Sequence, residues 1–154
     1  VVVRLANSFG TAGDPVRTPW DLLLNELCRE AVTRRTMSLR SDGLQYRDFV
    51  PLGEVVRAMT AIVHHPSART GTYLLASGES RTVAESVERL ASTLQRDHDI
   101  KAEIRRGAST GLESSSFRLS TRALGQLGIS LSDDWTDEIR RLVWASTRSA
   151  GGPS

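Results

Sequence analysis

Two hydrophobic periods alternate along this chain, and that alternation constrains the fold more than any other feature. VVVRL (1–5) is a short β-branched run and reads as a buried strand. ANSFGTAGDP follows it, rich in turn formers, and reads as a loop. Residues 20–33 place Leu23, Leu24, Leu27 and Val32 near one helical face, with Thr18 or Pro19 as the start. MSLRS (37–41) alternates and reads as a strand. Over 52–65, Val55, Val56, Met59, Ile62 and Val63 recur at helical spacing, and His-Pro-Ser ends the segment. GTYLLAS (71–77) is a second strong strand. Thr82 followed by Glu85 makes a capping box that opens a helix over 81–98. IKAEIRR (100–106) alternates as an edge strand, and a Gly/Ser loop follows. Residues 120–128 form a short helix stopped by Gly128, and 133–149 an amphipathic closing helix. Residues 151–154 read as a disordered tail.

Strands and helices in that order give an α/β chain. No repeat or linker interrupts it, so residues 1–150 are expected to be one unit. The expected sheet has two or three parallel strands, thin for a free-standing α/β domain. VVVRL begins at residue 1, yet a buried strand needs neighbours on both sides. The fold is therefore expected to be incomplete, part of something larger.

Composition removes several function classes. The 154 residues carry a net charge of +2, and no apolar run approaches the ~20 residues of a membrane span. Basic residues are almost all arginine, Lys101 being the only lysine. They are scattered among acids, whereas a nucleic-acid footprint is concentrated. No nucleic acid or membrane partner is expected. Cys28 is the only cysteine, so no internal disulfide forms, which fits a reducing compartment such as the cytoplasm.

Few residues carry chemistry. His64, His65 and His98 sit at helix ends, where they complement the dipole as caps, without the spacing of metal ligands. Cys28 lies on an amphipathic helix with no arranged base and reads as a small buried hydrophobe. The chain contains no P-loop or GxGxxG. Tyr46 and Tyr73 are not followed by a lysine four residues on. No catalytic or metal-binding residue is assigned. Anion binding fares better. Asn7 directly follows the first strand, at the end where open α/β sheets bind ligands; it either meets a ligand there or simply closes a turn. Arg47 stands at the edge of an apolar segment in SDGLQYRDFV, and its rigid fork matches phosphate oxygens. The competing reading is a surface arginine paired to Asp48 or Glu54.

Four segments in order resemble one family. They are RLANSFG (4–10), the helix WDLLLNELCREAV, MSLRSDGLQYRDFVPLGEVVRAM (37–59) and GTYLLASGESRTVAESVERLA (71–91). FRLSTRALGQLGISLSDDW (117–135) adds a late segment. Together they resemble the C-terminal half of an extended short-chain dehydrogenase/reductase, the NAD-dependent nucleotide-sugar epimerase/dehydratase group. The family pattern is R-x-x-N-x-x-G after the sixth strand, an RDF or RDY segment entering a helix, a Y-N-x-G-S-G-E strand and loop, and T/S-V-x-E opening the next helix. Here Glu54 stands where aspartate is usual, Leu74 where asparagine is usual, and Thr11 where proline follows the glycine.

The resemblance implies the C-terminal part of a Rossmann-like fold, with few parallel strands and a small, mostly helical substrate-binding lobe. It implies that Asn7 and Arg47 hold a nucleotide-sugar diphosphate, that Met37 and Leu39 help to line the nucleotide-base site, and that Leu5 and Ala6 lie near the nicotinamide of NAD or NADP. Asp48 is expected to orient its loop. The glycine-rich turn and the Tyr-x-x-x-Lys pair of such epimerases, dehydratases and reductases lie upstream of VVVRL in the family. This chain alone is thus expected to hold substrate rather than transform it. Family members are often dimers, so a homodimer is an expected assembly. The alternative is a non-catalytic nucleotide-binding or protein-interaction module.

Overall fold

The computed structural model describes residues 1–109, 111 and 114–149. The expected tail at 151–154 and part of the Gly/Ser loop lie outside them. Thirteen elements follow in chain order: β1 (Val2–Leu5), β2 (Asn7–Phe9), α1 (Leu23–Arg34), β3 (Thr36–Ser38), β4 (Tyr46–Arg47), β5 (Phe49–Pro51), α2 (Leu52–His64), β6 (Thr72–Leu75), β7 (Arg81–Thr82), α3 (Val83–His98), β8 (Glu103–Arg105), α4 (Arg122–Gly125) and α5 (Thr136–Ser149).

The class is α/β, but the strands do not join into one thin sheet. Among the described residues they form four two-stranded sheets. β1 pairs parallel with β6 in the register Val2↔Thr72, β2 with β5 as Asn7↔Phe49, and β3 with β8 as Thr36↔Glu103. β4 and β7 pair antiparallel, Tyr46 opposite Thr82 and Arg47 opposite Arg81. The expected loop at 6–15 therefore opens with a strand, because Asn7–Phe9 finds a parallel partner in Phe49–Pro51.

The helices follow their sequence signals, with shifted ends and faces. α3 starts on the capping box: Thr82 Oγ1 accepts the Glu85 N–H at 3.1 Å and Glu85 accepts the Thr82 N–H at 2.7 Å. α1 starts at Leu23, past Thr18 and Pro19, and ends on Arg35 in the left-handed conformation. Its inner face holds Leu24, Asn25, Leu27, Cys28 and Ala31. Gly128 takes the left-handed conformation just beyond α4 (φ +68°).

Two cores result, and β5 divides them by its pleat. Phe49 faces a large core built from Phe9, Leu24, Leu27, Leu90, Trp135 and Leu142, among others, of α1, α3, α5 and nearby strands. Val50 faces a smaller one with Val55, Ile62, Tyr73, Leu75 and Leu124. Trp135 packs against Phe9 with the rings tilted by 57° and their centroids 4.8 Å apart, and the Arg89 guanidinium covers the indole at 4.3 Å.

The expected burial of VVVRL is overturned. All four residues of β1 are exposed, Val2 by 54% and Leu5 by 46%. Among the described residues, β1 pairs along one edge only, with β6. The face of α2 also differs from expectation. Val55, Ala58 and Ile62 are buried, while Val56, Met59 and Val63 are exposed, Val63 by 78%.

Candidate functional site

The candidate residues gather where β1 and β6 end and where β4 turns into β5. Asp48 is the joint of this region. It is fully buried, and its carboxylate accepts the N–H groups of Ser77 at 2.8 Å and Gly78 at 2.9 Å. Buried carboxylates persist where they are hydrogen-bonded, and each such bond contributes about 1.5–3 kcal/mol. Asp48 thereby ties the β4–β5 corner to the turn after β6. Gly78 takes φ +84° in that turn, a conformation suited to glycine. The Asp48 carbonyl points the other way and accepts both the backbone N–H of Asn7 (3.1 Å) and its side-chain Nδ2 (3.3 Å). One residue thus positions Asn7, the 77–78 turn and its own neighbour Arg47, as expected of a residue that orients its loop.

Arg47 is exposed, and its Nη1 donates to the Tyr46 carbonyl at 3.0 Å. Among the described residues no carboxylate lies within salt-bridge distance of it. The surface pairing weighed from the sequence is not formed. Asp48 is taken by Ser77 and Gly78, and Glu54 by the Arg57 guanidinium at 2.6 Å and the Ser132 N–H at 2.7 Å. Arg57 and Ser132 hold the Glu54 carboxyl below the usual carboxylate range. Directly opposite Arg47 in the β4–β7 pair stands Arg81. Like charges facing across a strand pair repel. Arg81 is neutralised by Asp133 at 2.8 Å and Glu79 at 3.0 Å, which among the described residues leaves Arg47 as the uncompensated cation of the two.

Leu5 and Ala6 precede Asn7 at the carboxyl end of β1, where Ala6 N–H donates to the Leu75 carbonyl at 3.0 Å. Leu5, Ala6, Asn7 and Arg47 therefore lie around one strand-end region, joined through Asp48. Met37 and Leu39 stand apart from it, in and just after β3. Met37 has no exposed surface and packs in the large core. Leu39 lines a pocket of about 250 Å³ with Leu23, Ser38, Ser41, Gln45 and Val83, two residues before Arg47 at its nearer end.

Sequence reading missed Arg118. The segment 114–118 crosses the β4–β7 pair, held by Tyr46 N–H to Ser114 Oγ at 3.1 Å and Phe117 N–H to Ser80 Oγ at 2.9 Å. Arg118 Nε then donates to the Gly78 carbonyl at 3.2 Å. The turn stapled by Asp48 thus touches a second guanidinium without a carboxylate partner among the described residues. It borders an open pocket of about 430 Å³ that also holds Ser77, Thr121 and Arg122. Nothing in a Gly/Ser-rich segment flags such a residue, because its placement depends on two long-range serine contacts.

The remaining candidates supply no reaction centre. Burial pushes the Cys28 thiol up to about 12, so it is inert as a nucleophile at neutral pH. His64 and His98 end α2 and α3. Among the described residues no cluster of three His, Cys, Asp or Glu side chains can hold a metal ion. No described helix is long and apolar enough to cross a membrane.

No protein-family model and no curated protein matches the sequence. Solved structures do. An NAD-dependent NDP-hexosamine 5,6-dehydratase of tunicamycin biosynthesis, TunA, is 25% identical with a TM-score of 0.68, over 94% of this chain and 44% of that one. A UDP-glucuronic acid 4-epimerase from Bacillus cereus, solved with UDP-glucuronic acid and NAD, is 16% identical with a TM-score of 0.73, over 96% and 45%. RMD from Pseudomonas aeruginosa, solved with NADPH, is 17% identical with a TM-score of 0.72, over 96% and 48%. The chain has the fold found in these structures and spans just under half of their length.

Proposed function

We propose that this chain is the C-terminal, substrate-binding part of an NAD(P)-dependent nucleotide-sugar epimerase or dehydratase of the extended short-chain dehydrogenase/reductase family. The observation that carries the reading is the pairing of roles at Arg47 and Asp48. Adjacent residues of opposite charge do not neutralise each other. The acid is buried on backbone amides, while the arginine is exposed with no carboxylate partner among the described residues, and the Asn7 amide is held by the carbonyl of the residue that follows it. A guanidinium and a carboxamide at strand ends present donors to an anion with oxygens on several sides, as a diphosphate has. The matched structures include enzymes solved with nucleotide sugars, which supports that choice of anion.

In this reading Asn7 and Arg47 hold the diphosphate. The pocket beside Leu39 receives the nucleotide base; Met37, buried in the large core, does not line it. Leu5 is exposed and Ala6 half-buried at the end of β1, and this apolar strand end lies near the nicotinamide ring in that reading. When bound, the nicotinamide supplies a hydride acceptor and donor. The residues here bind and orient; remote contacts of this kind position the reacting sugar carbon. The glycine-rich turn and the Tyr-x-x-x-Lys pair belong, in this reading, to a further segment. The exposed β1 and the bare face of α2 are apolar surfaces left for such a segment to cover. The buried single thiol fits a reducing compartment, and we read the site of action as the cytoplasm. A homodimer follows from the family reading.

Calorimetry with UDP-, GDP- and dTDP-sugars tests the clamp. Arg47→Ala should lose about 1.5–3 kcal/mol of binding free energy, the magnitude of a hydrogen bond to a charged group. Unchanged affinity in that variant would sink the assignment. The 154-residue chain itself should transfer no hydride.

A further inference from the structure

The site described so far sits at one end of the β2–β5 pair; the other end is closed by a residue that the proposed function does not use. Glu138 in α5 is 2% exposed. Its Oε1 accepts the Thr11 N–H at 3.0 Å, and its Oε2 accepts the Gly53 N–H at 2.8 Å. Arg141 stands 3.5 Å from Oε2. Thr11 and Gly53 occupy equivalent places. β2 ends at Phe9 and β5 at Pro51, which face each other in register; Thr11 lies two residues past the first, and Gly53 two past the second, in the first turn of α2. The carboxylate therefore joins the segments that leave the two strands, a rung made by a side chain. Gly10, between Phe9 and Thr11, is held from the other side. Asn25 accepts its N–H at 2.8 Å and donates to its carbonyl at 2.9 Å. A Cβ at Gly10 would overlap the Glu138 carboxylate, so the close approach requires glycine there.

The burial of Phe9 and of Phe49–Pro51 favours one register for this pair. With only three residues in each strand, what clamps their ends adds to that alignment, and a buried bidentate acceptor stands at the end away from Asn7. We infer that Glu138 is a positioning residue: by bridging Thr11 and Gly53 it helps to set the register of β2 against β5, and with it the placement of the Asn7 amide relative to Arg47. It touches no ligand. The part of this inference that concerns binding rests on the diphosphate reading; the part that concerns Asn7 does not.

The test reads the side-chain amide resonance of Asn7 by NMR, together with UDP affinity by calorimetry, in the 154-residue chain. Glu138→Gln keeps the shape but leaves one acceptor oxygen for two N–H groups. It should shift the Asn7 resonance and weaken UDP binding roughly tenfold, as for a contact displaced by a fraction of an ångström. Gly53→Ala perturbs the same rung from the opposite side. Its Cβ would lie 3.1 Å from Glu138 Oε2, while the helix gains a better former, so it should move the Asn7 resonance without lowering the melting temperature. Leu142→Ala, a core truncation on the same helix, should lower the melting temperature and leave both readouts in place. An Asn7 resonance unmoved in both Glu138→Gln and Gly53→Ala overturns the inference. If the unsubstituted chain binds no UDP but the resonance still moves in both variants, the positioning role stands and the diphosphate reading falls.

Discussion

The core between α1, α3 and α5 and the layer made of β1, β6 and α2 handle their apolar residues in opposite ways. In the first, each helix turns its hydrophobic face inward, and large side chains such as Leu24, Leu27, Leu90 and Leu142 are buried almost completely. In the second, the most hydrophobic run of the chain, VVVRL, lies exposed along β1, and α2 leaves Val56, Met59 and Val63 in solvent. Periodicity locates an apolar face; whether that face is covered depends on a neighbour. The helical core is closed by this chain, and the β1–β6–α2 layer is open.

The contrast predicts a graded set of effects. Leu27→Ala should cost the largest amount, about 2–5 kcal/mol of unfolding free energy in a urea titration, since it empties a site in the closed core. Asp48→Asn comes next. An amide oxygen can serve only part of what two carboxylate oxygens give Ser77 and Gly78, so roughly 1–3 kcal/mol should be lost. Thermal melts of the two proteins compare them directly, and a silent Asp48→Asn would show that the corner joining the two regions holds without its staple. Val63→Ala should stay within about 0.5 kcal/mol, as for an exposed position. A loss there as large as that at Leu27 would break the distinction between closed and open regions.

The smallest effect is a pH dependence in α2. Arg57, and then the Ser132 N–H, hold the Glu54 carboxyl below its ordinary value, so its folded pKa lies under its unfolded one. The associated stability is present above the ordinary glutamate value of about 4.3 and fades as the pH falls through the depressed value. Glu54→Gln should therefore lower stability slightly at neutral pH, where the contribution is present, and its profile should converge with that of the unsubstituted chain as the pH falls below about 4.3.

Much of the helical architecture was legible in the sequence. The capping box at Thr82 and Glu85 carries its own hydrogen-bond logic, and α1 and α5 have amphipathic faces long enough to read. β2, β4, β5 and β7 were not legible. Each is two or three residues long, too short for alternation to show, and each exists only through a partner far along the chain. The site divides along the same line. Arg47 stands out locally as a cation at an apolar edge. Arg118 and Glu138 do not, because both acquire their places from contacts with segments 40 and 85 residues away or more. Burial failed as an expectation for VVVRL because β-branched composition reports what a strand would bury, given something to bury it against.

Asp48 has one more property, which belongs to the path of the chain rather than to its chemistry. β1, β2, β3 and β4 all precede it, and their partners β6, β5, β8 and β7 all follow it. Among the described residues, a single cut there would leave two pieces with no complete sheet in either, since every strand of one piece has its mate in the other. The molecule is in this sense two interleaved halves, and the residue that staples the ligand edge is also the seam between them.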